Sequence, residues 1–177
     1  KQLCTTRSVS SPFNIVLALL IAFSNPGYNK DPLRSKLRKV IEKKDSLWQV
    51  FLYDKKDVLV EQISYADEKL EVRKGLYKFL ENGELALQGN YDRGYKVGEW
   101  KSFYANKQLR IKSNYIWGNL FNSYESYWDS GELKSQGRYR KNKKIGNWKL
   151  LYKNGKPALQ ELYDEDGKFV EGVYYNE

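Results

Sequence analysis

Asp164, Glu165 and Asp166 put three carboxylates in a row, and in a chain with no histidine and a single cysteine, Cys4, carboxylate acid–base work is the catalysis its residue types still allow. Without histidine there is no Ser/His/Asp or Cys/His relay and no zinc cluster, and one cysteine closes no disulfide within the chain. The acidic triple stands beside Gly167 in what reads as a turn, where carboxylates need no catalytic explanation. No nucleophile sits next to a base, and nothing signals a pocket or a cofactor. The residues describe a chain that binds rather than one that turns over substrate.

Two sets of side chains are candidates for binding. Arg138, Arg140, Lys141, Lys143 and Lys144 crowd around Asn142 with no acid among them, a docking turn for an anionic partner or else a solvated turn. Phe79, Phe103, Tyr127 and Leu151 recur at a period of 24. Their parity sets them on the opposite strand face from the Trp/Tyr columns described next, as a partner-binding stripe or as packing.

The elements that carry these residues follow from a repeat. From residue 74 onward fixed columns recur with that same period: Tyr91, Tyr115, Tyr139, Tyr163; Leu76, Trp100, Tyr124, Trp148; Leu80, Tyr104, Trp128, Tyr152; Leu85, Leu109, Leu133. A turn column runs Asn82-Gly83, Asn106-Lys107, Ser130-Gly131, Asn154-Gly155. Period-two alternation on both sides of each turn predicts a β-hairpin per unit, with Gly94, Gly98, Gly118 and Gly146 between units. One hairpin is marginal in water, so units must stack. The fold expected is mainly all-β: an elongated single antiparallel sheet of tandem 24-residue hairpins, spanning 74–177 with a closing cap. A degenerate first unit is expected over 47–73.

Ahead of the sheet, Asp31-Pro32 followed by Leu33, Leu37, Val40 and Ile41 predicts one short basic helix from Pro32 to Lys44, within a linker region 25–46. Residues 1–24 have the layout of a signal peptide: Lys1 and Arg7, an apolar run from Phe13 to Phe23, and Ala22-Phe23-Ser24 as a cleavage site. Export to the periplasm, the envelope or the medium is the expectation; a cytoplasmic protein is the alternative. The net charge of +9 is unevenly placed, with +4 in the stretch 30–45 and only +3 in the whole of the chain from residue 47 onward. That argues against a nucleic-acid groove, which needs cations spread along the repeats.

The unit Gly98-Glu99-Trp100-Lys101-Ser102-Phe103-Tyr104, with Leu109 and Tyr115, and its cousin Gly146-Asn147-Trp148 through Asn154-Gly155-Lys156, resemble the MORN-variant repeat. Proteins of this repeat often carry the label of YwqK-type antitoxins. The resemblance implies an extended sheet of successive hairpins with roles in protein contact or membrane association. The sequence departs from it at Lys107, Asn122 and Pro157. The choline- and glucan-binding repeats of secreted bacterial proteins are a second likeness, disfavoured by the strict period of 24. The expected function is a non-enzymatic module for protein–protein interaction or scaffolding, without cofactor or metal. The alternatives are a module binding envelope glycan, choline groups or anionic membrane, and a cytoplasmic antitoxin acting by direct contact. Edge strands leave end-to-end self-association open.

Overall fold

The structure is a computed structural model that describes residues 34–176; the expected signal peptide and residues 25–33 of the linker lie outside the described residues. A three-residue 3-10 turn, Arg34–Lys36, is followed only by strands and turns. The strands are β1 (Arg38–Lys44), β2 (Leu47–Tyr53), β3 (Leu59–Tyr65), β4 (Arg73–Glu81), β5 (Glu84–Asp92) and β6 (Tyr95–Phe103). They continue as β7 (Leu109–Ile116), β8 (Asn119–Tyr127), β9 (Leu133–Arg140), β10 (Lys143–Leu151), β11 (Pro157–Tyr163) and β12 (Phe169–Tyr174). All twelve pair in chain order, each antiparallel to the next, in one open sheet. The tandem-hairpin architecture expected from the period of 24 is the one observed.

Residues 38–44, expected to close a helix, instead form β1, which pairs with β2 from Arg38↔Tyr53 to Lys44↔Leu47. Val40 and Ile41 fit a helical stripe in isolation. The backbone groups of β1 that face β2 pair with it across a two-residue turn with Asp45 at φ 54°, and this tertiary pairing overrides a weak local preference. The array thus begins a hairpin earlier than the repeat suggests.

Each hairpin places one row of side chains on an aromatic face and the next on a polar face. On the aromatic face Trp100 and Tyr77 are 2% and 0% exposed, and their rings stack with centroids 5.6 Å apart. Tyr91 and Tyr115 meet Trp100 edge-on at 5.2 and 6.1 Å. The arrangement recurs two units later, where Trp148 packs against Tyr124 and Tyr139 at 5.6 and 4.9 Å. Each indole N–H donates to a backbone carbonyl, of Asn90 and of Arg138, both at 3.2 Å. Glycine explains how an indole lies flat on the sheet. A Cβ on Gly89 would come within 2.2 Å of the Trp100 ring, and one on Gly137 within 2.2 Å of Trp148.

The first unit is out of phase with the others by a single position. Leu80↔Leu85 brackets a shorter loop than Phe103↔Leu109, Tyr127↔Leu133 and Leu151↔Pro157, which all match one another. The tight Asn82-Gly83 turn is the cause, so Tyr77, not Leu76, takes the position of Trp100, and Leu76 is exposed. Gly98 and Gly146 do not lie between units as expected. They sit inside β6 and β10 at φ 64° and 63°, where the ladder register skips, and Asn122 serves at φ 62° in β8. Asparagine is the side chain that best tolerates this left-handed geometry, so the departure at Asn122 keeps the bulge.

Candidate functional site

On the polar face the strand registers line up into one row that crosses the sheet. Gln62 pairs with Lys78, then in turn Gln88, Lys101, Lys112, Glu125, Gln136, Lys149 and Gln160. Nine polar side chains on nine consecutive strands, β3 to β11, span about 38 Å at the usual strand spacing of ~4.8 Å. Val173 of β12 closes one end and Phe51 of β2 the other. Carboxylates interleave with the cations at the centre. Glu99 reaches Lys101 at 2.7 Å and Lys112 at 3.7 Å, and Glu125 lies 3.8 Å from Lys112. Glu99 is held below the usual carboxylate range, chiefly by its hydrogen bond from Lys101. The Tyr127 hydroxyl donates to Glu125 at 2.7 Å. Loss of solvent, with this carboxylate, pushes the phenol up to about 12.

The apolar stripe expected from the sequence is broken by the phase slip. Phe79 pairs with Leu87 and Glu61, both buried, and so belongs to the aromatic-face row. Phe103, Tyr127 and Leu151 share equivalent positions with Leu80, all half-buried, flanking the polar row. The five cations of the candidate docking turn are divided. Arg140 pairs with Glu165 at 2.6 Å and Lys144 with Glu161 at 2.9 Å. Arg138 lies alongside Gly146, and Lys141 and Lys143 stand exposed at the tip of the β9–β10 turn. The acids come from β11 and the loop after it, distant in sequence. The Asp164 carboxylate accepts the backbone N–H groups of Asp166 and Lys168 at 3.0 and 2.8 Å, as Asp54 accepts those of Lys56 and Val58, so its role is to close a turn.

The same doubling of the aromatic cluster sets two lysines against the core. The Lys96 amine lies 4.3 Å from the Trp100 ring centroid and 5.1 Å from Tyr115, and the Lys144 amine 4.7 Å from Trp148 and 5.1 Å from Tyr163. Burial alone would lower Lys144, but the Glu161 carboxylate outweighs it and holds the amine above its usual range. At the position corresponding to Glu161 the first block has Ser113. Burial, with the charge of Arg73, pushes Lys96 down to about 8. The folded protein therefore binds fewer protons than the unfolded chain between about pH 8 and the ordinary lysine value of 10.5, and stability rises with pH across that window. Half-buried Tyr115, Tyr124 and Tyr139, raised chiefly by loss of solvent, oppose the trend above ~10. In Lys96→Met, which keeps an apolar stem on Trp100, the rise in urea midpoint from about pH 8 to about pH 10 should vanish. An unchanged rise would assign the titration to another group.

Among the described residues no cluster of three or more His, Cys, Asp or Glu is placed to hold a metal ion, and no helix is long and apolar enough to cross a membrane. The polar row is open to the same column counting that finds the aromatics, since Gln88, Lys112, Gln136 and Gln160 share the period of 24, as do Lys101, Glu125 and Lys149.

Residues 96–116, which take in β6 from its second residue, the loop and β7, match the MORN repeat variant family. No curated protein matches the chain. Among solved structures, a mutant of S. aureus TarM in complex with fondaparinux, alpha-GlcNAc-glycerol and UDP is similar at 9% identity and a TM-score of 0.40, covering 78% of this chain and 32% of its own. A GtfA/B complex bound to UDP and GlcNAc is similar at 13% identity and a TM-score of 0.30, covering 57% and 22%. The chain spans about a third or less of the length of those proteins. The matched segment is one hairpin of the array, its register recurs in β8–β9 and β10–β11, its indole packing recurs at Trp148, and the likeness to the MORN repeat variant is shown over that segment.

Proposed function

We propose that the chain is a non-enzymatic module for protein–protein interaction or scaffolding, that it works as an exported protein, and that it presents the polar row to its partner. The observation that carries this reading is the row itself: nine strands hold amide and charged groups in line on the face opposite the aromatic core. Such a face offers hydrogen bonds and charge pairs at regular spacing without any group arranged for catalysis. The lysines toward its two ends, Lys78 and Lys149, have no ion pair among the described residues, while Lys101 and Lys112 are balanced by Glu99 and Glu125.

Quantitative pull-down from fractionated host cells, comparing the full chain with Lys78→Glu/Lys149→Glu, tests the surface. One protein enriched by the first and reduced about tenfold or more by the second, with unchanged circular dichroism, is the expected result; loss of a desolvated charge contact costs on that order. Equal capture by both would exclude the row as the contact surface. Finding the protein uncleaved in the cytosol would sink the export reading.

A further inference from the structure

One long rim of the sheet carries six turns in a line, those of β1–β2, β3–β4, β5–β6, β7–β8, β9–β10 and β11–β12, two strands apart from one to the next. Their charges form a pattern that the linear sequence hides. The first holds Lys43, Lys44 and Asp45, and the second Asp67, Glu68 and Glu71 against Lys69. The third and fourth are aromatic and near neutral, with Arg93 and Tyr95, then Ile116 and Trp117. The fifth holds Arg140, Lys141 and Lys143, and the sixth Asp164, Glu165 and Asp166 against Lys168. In order the rim is basic, acidic, Arg/Tyr, Ile/Trp, basic, acidic.

That order is complementary to its own reverse. A two-fold axis between the third and fourth turns sets Arg93 of one copy against Trp117 of the other. The acidic second turn then meets the basic fifth turn, and the basic first turn meets the acidic sixth. An axis through Trp117 itself would set the acidic second turn against the acidic sixth and Arg93 against the basic fifth, so the complementarity selects one arrangement.

The centre of the rim bears a second mark. Trp117 adopts φ 48° in a two-residue turn, as do Arg93 and Lys141 at the equivalent turns. Asparagine or glycine is favoured there, and an aromatic ring pays a steric penalty. The ring is nonetheless 49% exposed, with Ile116 at 47% and Tyr95 at 54% around it. Tyr95 meets it edge-on at 6.2 Å, and the Arg93 guanidinium lies 5.8 Å from its centroid. An exposed Trp, Tyr and Arg gathered on two neighbouring turns is the composition of an interface centre.

We infer that this rim is a homodimer contact, in which Trp117 and Arg93 of two copies interlock about a two-fold axis while the acidic β3–β4 loop of each pairs with the basic β9–β10 turn of the other. Sheet twist turns the outermost loops away, so the four inner turns carry the contact. The polar face stays uncovered in this arrangement, and the dimer presents two copies of it.

The test is sedimentation velocity of the full chain over a concentration series. The wild type is expected to sediment as a dimer that weakens with added salt. Trp117→Asn, which suits the turn geometry better than tryptophan and so preserves the fold, is expected to weaken the dimer by about tenfold or more. Two charge variants sharpen the result. Lys141→Glu/Lys143→Glu and Glu68→Lys/Glu71→Lys should each be monomeric alone and should form a one-to-one dimer when mixed, because each then supplies the charge the other has lost. A wild type that stays monomeric at every concentration, a dimer indifferent to Trp117→Asn, or a mixture that stays monomeric would each overturn the inference.

Discussion

Trp100→Ala is expected to cost the fold about 4 kcal/mol, the middle of the range for truncating a buried aromatic side chain. The ring is 2% exposed and meets Tyr77, Tyr91 and Tyr115. Truncation also strips the Asn90 carbonyl of its donor and exposes the Lys96 amine to an empty space. For a chain of this size the midpoint of thermal unfolding should fall by about 10 °C or more. Trp100→Phe retains part of the ring contact and should cost roughly half as much, the missing part being the indole hydrogen bond and the lost volume. Differential scanning calorimetry on the three proteins measures the series. A loss under about 1 kcal/mol for Trp100→Ala would mean that the aromatic face is not the core.

Gly137→Ala is the second large effect, and it runs against ordinary expectation. In a regular strand, alanine for glycine usually stabilises by about 0.5–1 kcal/mol, because glycine has more chain freedom to lose. Here the added methyl would sit 2.2 Å from the Trp148 ring, closer than carbon atoms approach, so the indole must leave its place or the strand must bend. The expected cost is about 3 kcal/mol, at the high end for overpacking. The decisive comparison is a double-mutant cycle. In a Trp148→Ala background the same change should cost less than about 1 kcal/mol, because the obstructing ring is gone. Additive costs would show that Gly137 is needed for some reason other than Trp148. Gly89→Ala should behave alike against Trp100, since its added Cβ meets that ring at the same 2.2 Å.

These two residues show how far the sequence carries the fold. The Trp and Tyr columns at a period of 24 and the turn pairs between them are enough for the hairpins, their order and their antiparallel sense, because alternation and turn chemistry are local properties. Gly89 and Gly137 carry no such signal. Their role exists only once the neighbouring strand lays an indole across them. The same holds for Phe79, which the period aligns with Phe103 but which the shorter Asn82-Gly83 turn moves to the aromatic face. Residues 38–44 mislead for a related reason. Leu37, Val40 and Ile41 imitate a helical stripe, and only the partner strand β2 decides otherwise. Glu161 and Glu165, which neutralise Lys144 and Arg140, are remote from them in sequence and reach them only when β11 pairs with β10. The alternating charges of the rim become visible only when every second turn is read in spatial order.

Partner binding along the polar row requires that the row run straight across an open sheet, and spin labels placed on it test that directly. With Cys4→Ser in the background, labels at Gln88 and Gln136 lie four strands apart, and labels at Gln88 and Gln160 six strands apart. Double electron–electron resonance should give separations of about 19 and about 29 Å, increasing in proportion to strand number. A longer-numbered pair that is no farther apart than the shorter one would mean that the sheet rolls up or pairs out of order, and the extended face proposed for partner binding would not exist.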